Sequence, residues 1–258
     1  MKKLLTILCC LWVTFSTTTV LADNEVSVTD IIHLLEEKGT NIQSVNNEVI
    51  VEINVEHKGV TEKNLKVTHA KIIYDNQQVA KLAAERSFIK PNSSDTGMKL
   101  VYYSETPETY FWKDTGNWHV SPLEQPITKL YPDYFSHLSA VMNILKKAEA
   151  NELEVKIKEK DDTYQVVIED KKLDLFADFK DVYEINVSGL AKSELTQRLQ
   201  IVVHKQEGRM EEVTFEISGE NNLGKLKLQS TNVYKDWNTV QDSDIVHPDD
   251  EYKNGAGS

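Results

Sequence analysis

The side chains best suited by type and spacing to bind something are aromatic. Nineteen aromatic residues follow position 22, and nine of them fall between Tyr102 and Phe135. Tyr102, Tyr110, Trp112 and Trp118 lie in short strand-like runs, where large apolar faces with polar tips suit the wall of a hydrophobic-ligand cavity. Phe135, Leu138, Met142 and Leu145 follow at helical spacing and would present one apolar stripe. These eight are the candidate ligand-binding residues. The chemistry they offer is desolvation of an apolar molecule. Alternating strand aromatics such as Tyr110 and Trp112 also suit a core, and an exposed strip would suit glycan or protein contact.

Bond-making chemistry has little to work with. The seven histidines (33, 57, 69, 119, 137, 204 and 247) show no His-x-His, His-x-x-x-His or His-Glu-x-x-His spacing, so no metal ligand set is predicted. His33 and His137 read as surface or boundary residues of helices. The acidic run Asp242, Asp244, Asp249, Asp250 and Glu251 lacks the glycine and closing glutamate of a calcium loop, and Pro248 interrupts it, so it reads as solvated charge. No Gly-x-Ser-x-Gly elbow, phosphate-cradling loop or dinucleotide fingerprint occurs. The expectation is a protein that is not an enzyme and needs no cofactor.

Charge and the N-terminus set the compartment. The chain carries 29 Lys+Arg against 41 Asp+Glu, a net charge of -12, which argues against a nucleic-acid partner. Lys2 and Lys3, the apolar run Leu4–Val13 and the Val20-Leu21-Ala22 site predict a secretory signal peptide over residues 1–22. The uncharged run from Leu4 to Ala22 is long enough in principle to anchor in a membrane, but its second half is largely Ser and Thr. Cys9 and Cys10, the two cysteines, both fall inside this segment, and neither follows the small residue that lipidation requires. The 236 residues after Ala22 hold no cysteine, which excludes disulfides, thiolate nucleophiles and cysteine metal sites there. They carry 27 basic against 41 acidic side chains, a net charge of -14. No later stretch is apolar enough for a transmembrane helix. A secreted, extracytoplasmic protein of a bacterial cell envelope is expected.

The positioning elements are mostly strands. Ser27-Val28-Thr29-Asp30 has capping-box form, and Ile31, Ile32, Leu34 and Leu35 follow at helical spacing up to Gly39. Val49, Val51, Ile53 and Val55 alternate as a half-buried strand. Residues 64–90 mix strand alternation with the helix-forming run Gln77–Arg86, and a hairpin about Asp75-Asn76 is the preferred reading. Strands are predicted over Lys99–Ser104, Glu108–Lys113 and Asn117–Val120, the last two joined by Asp114-Thr115-Gly116. Tyr134–Ala150 is predicted as an amphipathic helix. Further strands are predicted around Val155, Val166, Ile201, Phe215 and Leu228, with turns at Lys160-Asp161-Asp162 and Glu207-Gly208. Their one-sided alternation belongs to antiparallel sheets with one solvated face. One domain over residues 23–240 and a flexible acidic tail over 241–258 are expected.

The Tyr110-x-x-Lys113-Asp114-x-Gly116-x-Trp118 run, the early helix, the mid-chain helix between strand meanders and the late Tyr234-Lys235-Asp236-Trp237-Asn238 give an element order that resembles the LolA/LppX-like superfamily of exported lipoproteins and lipid carriers. The resemblance spans nearly the whole chain after residue 22. It implies a mainly β (α+β) fold: a curved antiparallel sheet, or incomplete barrel, with helices over its concave face and an apolar cavity between. The Tyr134–Ala150 helix would be the plug. Many members carry a lipobox cysteine that this chain lacks. The expected function is non-catalytic binding of a lipid or other apolar ligand. The alternative is an envelope protein–protein interaction module with a filled core and no cavity.

Overall fold

The computed structural model describes residues 26–39, 41–89, 97–105, 108–114, 117–135, 137–169, 174–180, 182–183 and 189–248. The expected signal peptide, the Pro91–Thr96 stretch, Thr115-Gly116 and the acidic run from Asp249 onward lie outside them.

Eleven strands form one antiparallel sheet. In chain order they are β1 (Ser44–His57), β2 (Val60–Asp75), β3 (Gln78–Ile89), β4 (Gly97–Glu105), β5 (Glu108–Lys113), β6 (His119–Val120), β7 (Val155–Lys160), β8 (Thr163–Ile168), β9 (Leu195–His204), β10 (Met210–Asn221) and β11 (Gly224–Lys235). Their order across the sheet is β6-β5-β4-β3-β2-β1-β11-β10-β9-β8-β7. Two meanders, β1–β6 and β7–β11, therefore spread in opposite directions from a central β1–β11 pair, whose register runs from Asn46↔Lys235 to His57↔Gly224. The sheet curves without closing, because β6 and β7 remain as free edges. This is the mainly β, curved and incompletely closed arrangement that the strand pattern and the family resemblance imply.

Alternation decides which face is inside. Val45, Val49 and Val51 of β1 face inward with Ile72 of β2, Leu82 of β3, Phe215 of β10 and Leu199 of β9, and all are buried in one continuous core. Four helices cover that face: α1 (Val28–Lys38), α2 (Ile127–Leu130), α3 (Leu138–Ala150) and α4 (Leu175–Phe179). Ser27 and Asp30 cap α1 reciprocally, and Ile31, Ile32 and Leu35 enter the core. Val141, Ile144, Leu145 and Ala148 of α3 join the same core. No helix among the described residues is long and apolar enough to cross a membrane.

Two sequence expectations are revised and one is met. The mid-chain helix begins at Leu138 rather than Tyr134, because Pro132–Tyr134 forms a 3-10 turn and Phe135 is extended (φ -106°, ψ 167°). The hairpin preferred over residues 64–90 is present: β2 turns into β3 after Asp75, and the helix formers of Gln77–Arg86 are strand from Gln78 onward, with Leu82 and Ala84 at inward positions between β2 and β4. Residues 241–248, expected in a flexible tail, pack on the outer face instead. There Asp242 pairs with Lys81, Ile245 is buried, and the His247 ring meets Tyr102 and Phe111.

Candidate functional site

The chain between β6 and α3 forms a strap across the inner face of the β1–β6 wing, and it is held by charge. Asp133, fully buried, receives the Arg86 guanidinium from β3 on one oxygen and lies 3.0 Å from Lys66 Nζ of β2 through the other. The Arg86 guanidinium also lies over the Tyr134 ring, 4.7 Å from its centroid, and Tyr134 stacks on Tyr131 at 4.8 Å. Asn47 of β1 donates to the Tyr134 carbonyl at 2.9 Å. Two cations on one buried carboxylate and one amide donor fix this segment against β2, β3 and β1.

His137 follows directly. The sequence places it at a helix boundary; the structure buries it, with 4% exposed, at the N-cap of α3. Its Nδ1 lies 2.8 Å from Asn232 Nδ2 of β11 and 3.3 Å from the Tyr183 hydroxyl, and its backbone N–H donates to the Tyr234 hydroxyl at 3.1 Å. An amide donor on Nδ1 leaves the neutral ring's proton on Nε2. Burial pulls the His137 pKa down to about 4, against the opposing pull of Asp133. The ring is neutral at physiological pH.

Strap, sheet rim and helix start enclose an open groove of about 980 Å³. Ile42, Tyr74, Val79 and Tyr103 form its sheet side, Leu123, Pro126 and Ile127 its strap side, and Phe135 and Leu138 its back. Glu105 and Glu124 stand in the lining beside Gln77, Gln78, Gln125, Thr128 and Ser139. No basic side chain is among the described lining residues.

Of the eight candidate residues, Phe135 and Leu138 line this groove. Tyr110 is buried, and its hydroxyl bonds that of Tyr131; burial, with that bond, pushes its pKa above the usual tyrosine value. Trp112 donates from Nε1 to Ser121 Oγ at 2.8 Å and stacks on His119 at 4.6 Å. Trp118 is half-buried, with Lys113 Nζ 5.9 Å from its ring centroid. Met142 packs partly buried on the core, and Leu145 is fully buried within it. Tyr102 lies on the outer face: it pairs with Ala83 and Phe111, whereas its neighbour Tyr103 pairs with Leu82 and Tyr110 on the inner face.

The apolar and aromatic groove residues outside that set are Ile42, Tyr74, Val79, Tyr103, Leu123, Pro126 and Ile127. A signal for Tyr103 is present in the sequence, since adjacent strand residues must face opposite sides and only one of Tyr102 and Tyr103 can line an inner wall. Leu123 and Ile127 sit among Pro122 and Pro126, where no periodicity exists to read. Among the described residues no group of three or more His, Cys, Asp or Glu side chains could hold a metal.

No family model matches the chain. No curated protein matches it either. Among solved structures, LprF from Mycobacterium bovis is similar at a TM-score of 0.36 and 15% identity, covering 85% of this chain and 97% of that one. A DUF1329 family protein from Desulfovibrio piger is similar at a TM-score of 0.26 and 10% identity, with the same coverages of 85% and 97%. Likeness at this level establishes neither family nor ligand, and the groove's own geometry is what bears on function.

Proposed function

We propose that the chain is an exported, non-catalytic binding protein that shelters the apolar part of a ligand in the groove between the strap, the β2–β4 rim and the start of α3. The observation that carries this reading is the groove itself: about 980 Å³, open at its mouth, with nine of its lining residues apolar or aromatic. That volume falls within the range of small-molecule sites. Over the middle of the concave face α3 packs Val141, Ile144, Leu145 and Ala148 into the core. The ligand therefore enters at one end of the sheet instead of lying along it. Binding is driven by removing apolar ligand surface from water, about 25 cal/mol per Å² before the costs of ordering.

The sheet edges favour this reading over docking by strand addition. β6 offers two residues, and β7 carries Lys156, Lys158 and Lys160 along a short edge. Short, lysine-rich edges discourage pairing with another chain.

The test is uptake of a neutral fluorescent apolar dye by the secreted protein, read alongside native mass spectrometry. Leu138→Asp sets a charge in the groove wall at a half-buried position of the first helical turn, so the fold should survive while dye affinity falls at least tenfold. Unchanged dye binding in the folded variant would remove the groove as the site.

A further inference from the structure

The electrostatics of the groove restrict the kind of head group that can sit at its mouth. Glu105 and Glu124 both line it, both are exposed, and neither has an ion-pair partner among the described residues. Among the described residues no Lys, Arg or His lines it. Thr40, Thr106 and Ser136, which neighbour lining residues in the chain, are uncharged. Of the basic residues close in sequence, Lys81 pairs with Asp242 on the outer face, Lys38 donates to the Gln206 carbonyl, and Lys129 follows the lining residue Thr128 on α2 without itself lining the groove. The α3 N-terminus also borders the groove through Leu138 and Ser139 and contributes positive potential. A helix end amounts to about half a charge, which two full carboxylates outweigh. The chain after residue 22 adds a background of -14. Three aromatic rings, those of Tyr74, Tyr103 and Phe135, belong to the same lining. Aromatic faces beside carboxylates favour an alkylated ammonium, which is attracted by both and loses little hydration on entering.

Building on the groove reading above, we propose that its ligand is a cationic amphiphile: an apolar chain held by the strap and Phe135, with a quaternary ammonium head near Glu105 and Glu124. A fatty acid or an anionic phospholipid would bring its negative charge against two carboxylates with no cation to offset them.

The experiment uses three probes with the same ten-carbon chain below their micelle concentrations: decyltrimethylammonium, decyl maltoside and decyl sulfate. Each is titrated calorimetrically into the secreted protein, the E105Q/E124Q variant and the L138D variant, at low salt and at about 0.5 M salt, where the Debye length is only a few ångströms. The expected result is on the order of tenfold tighter binding of decyltrimethylammonium than of decyl sulfate at low salt. That ratio should collapse towards one in E105Q/E124Q and in high salt, while L138D weakens all three probes. Equal binding of the three to the unaltered protein leaves the groove in place and overturns the charge selectivity. A cation preference that persists in E105Q/E124Q also overturns it, since the overall charge would then be the cause. Absence of binding by every probe, or binding that L138D leaves unchanged, overturns the groove reading and this proposal with it.

Discussion

At the scale of single residues, the strap is secured by largely buried charged groups. Asp133 is the hub, because its carboxylate pairs with both Arg86 and Lys66 in the interior. Asp133→Asn should cost about 3–5 kcal/mol in urea or guanidinium unfolding, since it removes the buried carboxylate that both cations contact. Loss of under 1 kcal/mol would show that the three groups are solvated. His137 supplies a pH dependence. Its folded pKa of about 4 lies below the unfolded value of 6.5, so the unfolded chain takes up the proton first. Its effect on stability is absent above pH 6.5, grows as pH falls from 6.5 to 4, and levels off below that. The full loss is about 3 kcal/mol, by the conversion of 1.36 kcal/mol per unit. Urea midpoints between pH 6.5 and 5, above most carboxylate titrations, should fall in the native protein and stay nearly flat in His137→Gln. Equal slopes in the two would assign the effect to other groups. Neither role is legible in the sequence, where Asp133 is one acid among 41 and His137 one of seven dispersed histidines.

At the scale of elements, hairpins and one strap do the positioning. The β1–β2 and β2–β3 turns each place two residues at positive φ, Lys58 and Gly59 in the first and Asn76 and Gln77 in the second, which suits tight hairpins between twisted strands. At the start of β11 a Cβ on Gly224 would sit 1.9 Å from the Glu56 carbonyl oxygen, so only glycine lets β11 close on β1. Gly224→Ala should destabilise by about 1–3 kcal/mol, read from thermal or urea unfolding, by prising apart this end of the pair that joins the two wings. A change within 0.3 kcal/mol would mean that the hairpin end is free to shift. Alternation such as Val49-x-Val51-x-Ile53 marks its strand directly, and the Ser27/Asp30 capping box marks the start of α1. Gln78–Ile89 was harder to read, because its helix formers give way to sheet packing: a strand between two others gains ladder bonds and burial that outweigh a few tenths of a kcal/mol per residue of propensity. The start of α3 was misplaced for a related reason. Tyr134, Phe135 and Leu138 are apolar and fit helical spacing, yet the first two are buried by the strap and only Leu138 belongs to the helix.

At the scale of the whole molecule, two meanders share one core through the β1–β11 pair and the helices that cross it, and the groove is what remains where α3 and the strap stop short of the β2–β4 rim. The sequence by itself determined the strand-rich, antiparallel class, the two longer of the four covering helices, the cysteine-free chain after residue 22 and its strongly negative charge. Those are properties of local period, composition and counting, which need no knowledge of which strand lies beside which. Tertiary structure alone decided that Tyr103 and not Tyr102 faces inward, that Leu145 fills the core while Leu138 borders the groove, and that Asp133 meets Arg86 and Lys66 from two other strands. It also assembled the groove from β2, β3, β4, an aperiodic strap and one helical turn. The physical reason is that a one-residue choice of pleat reverses a strand's faces, and contacts across 47 to 97 positions of sequence separation are fixed by register and burial together, not by local periodicity.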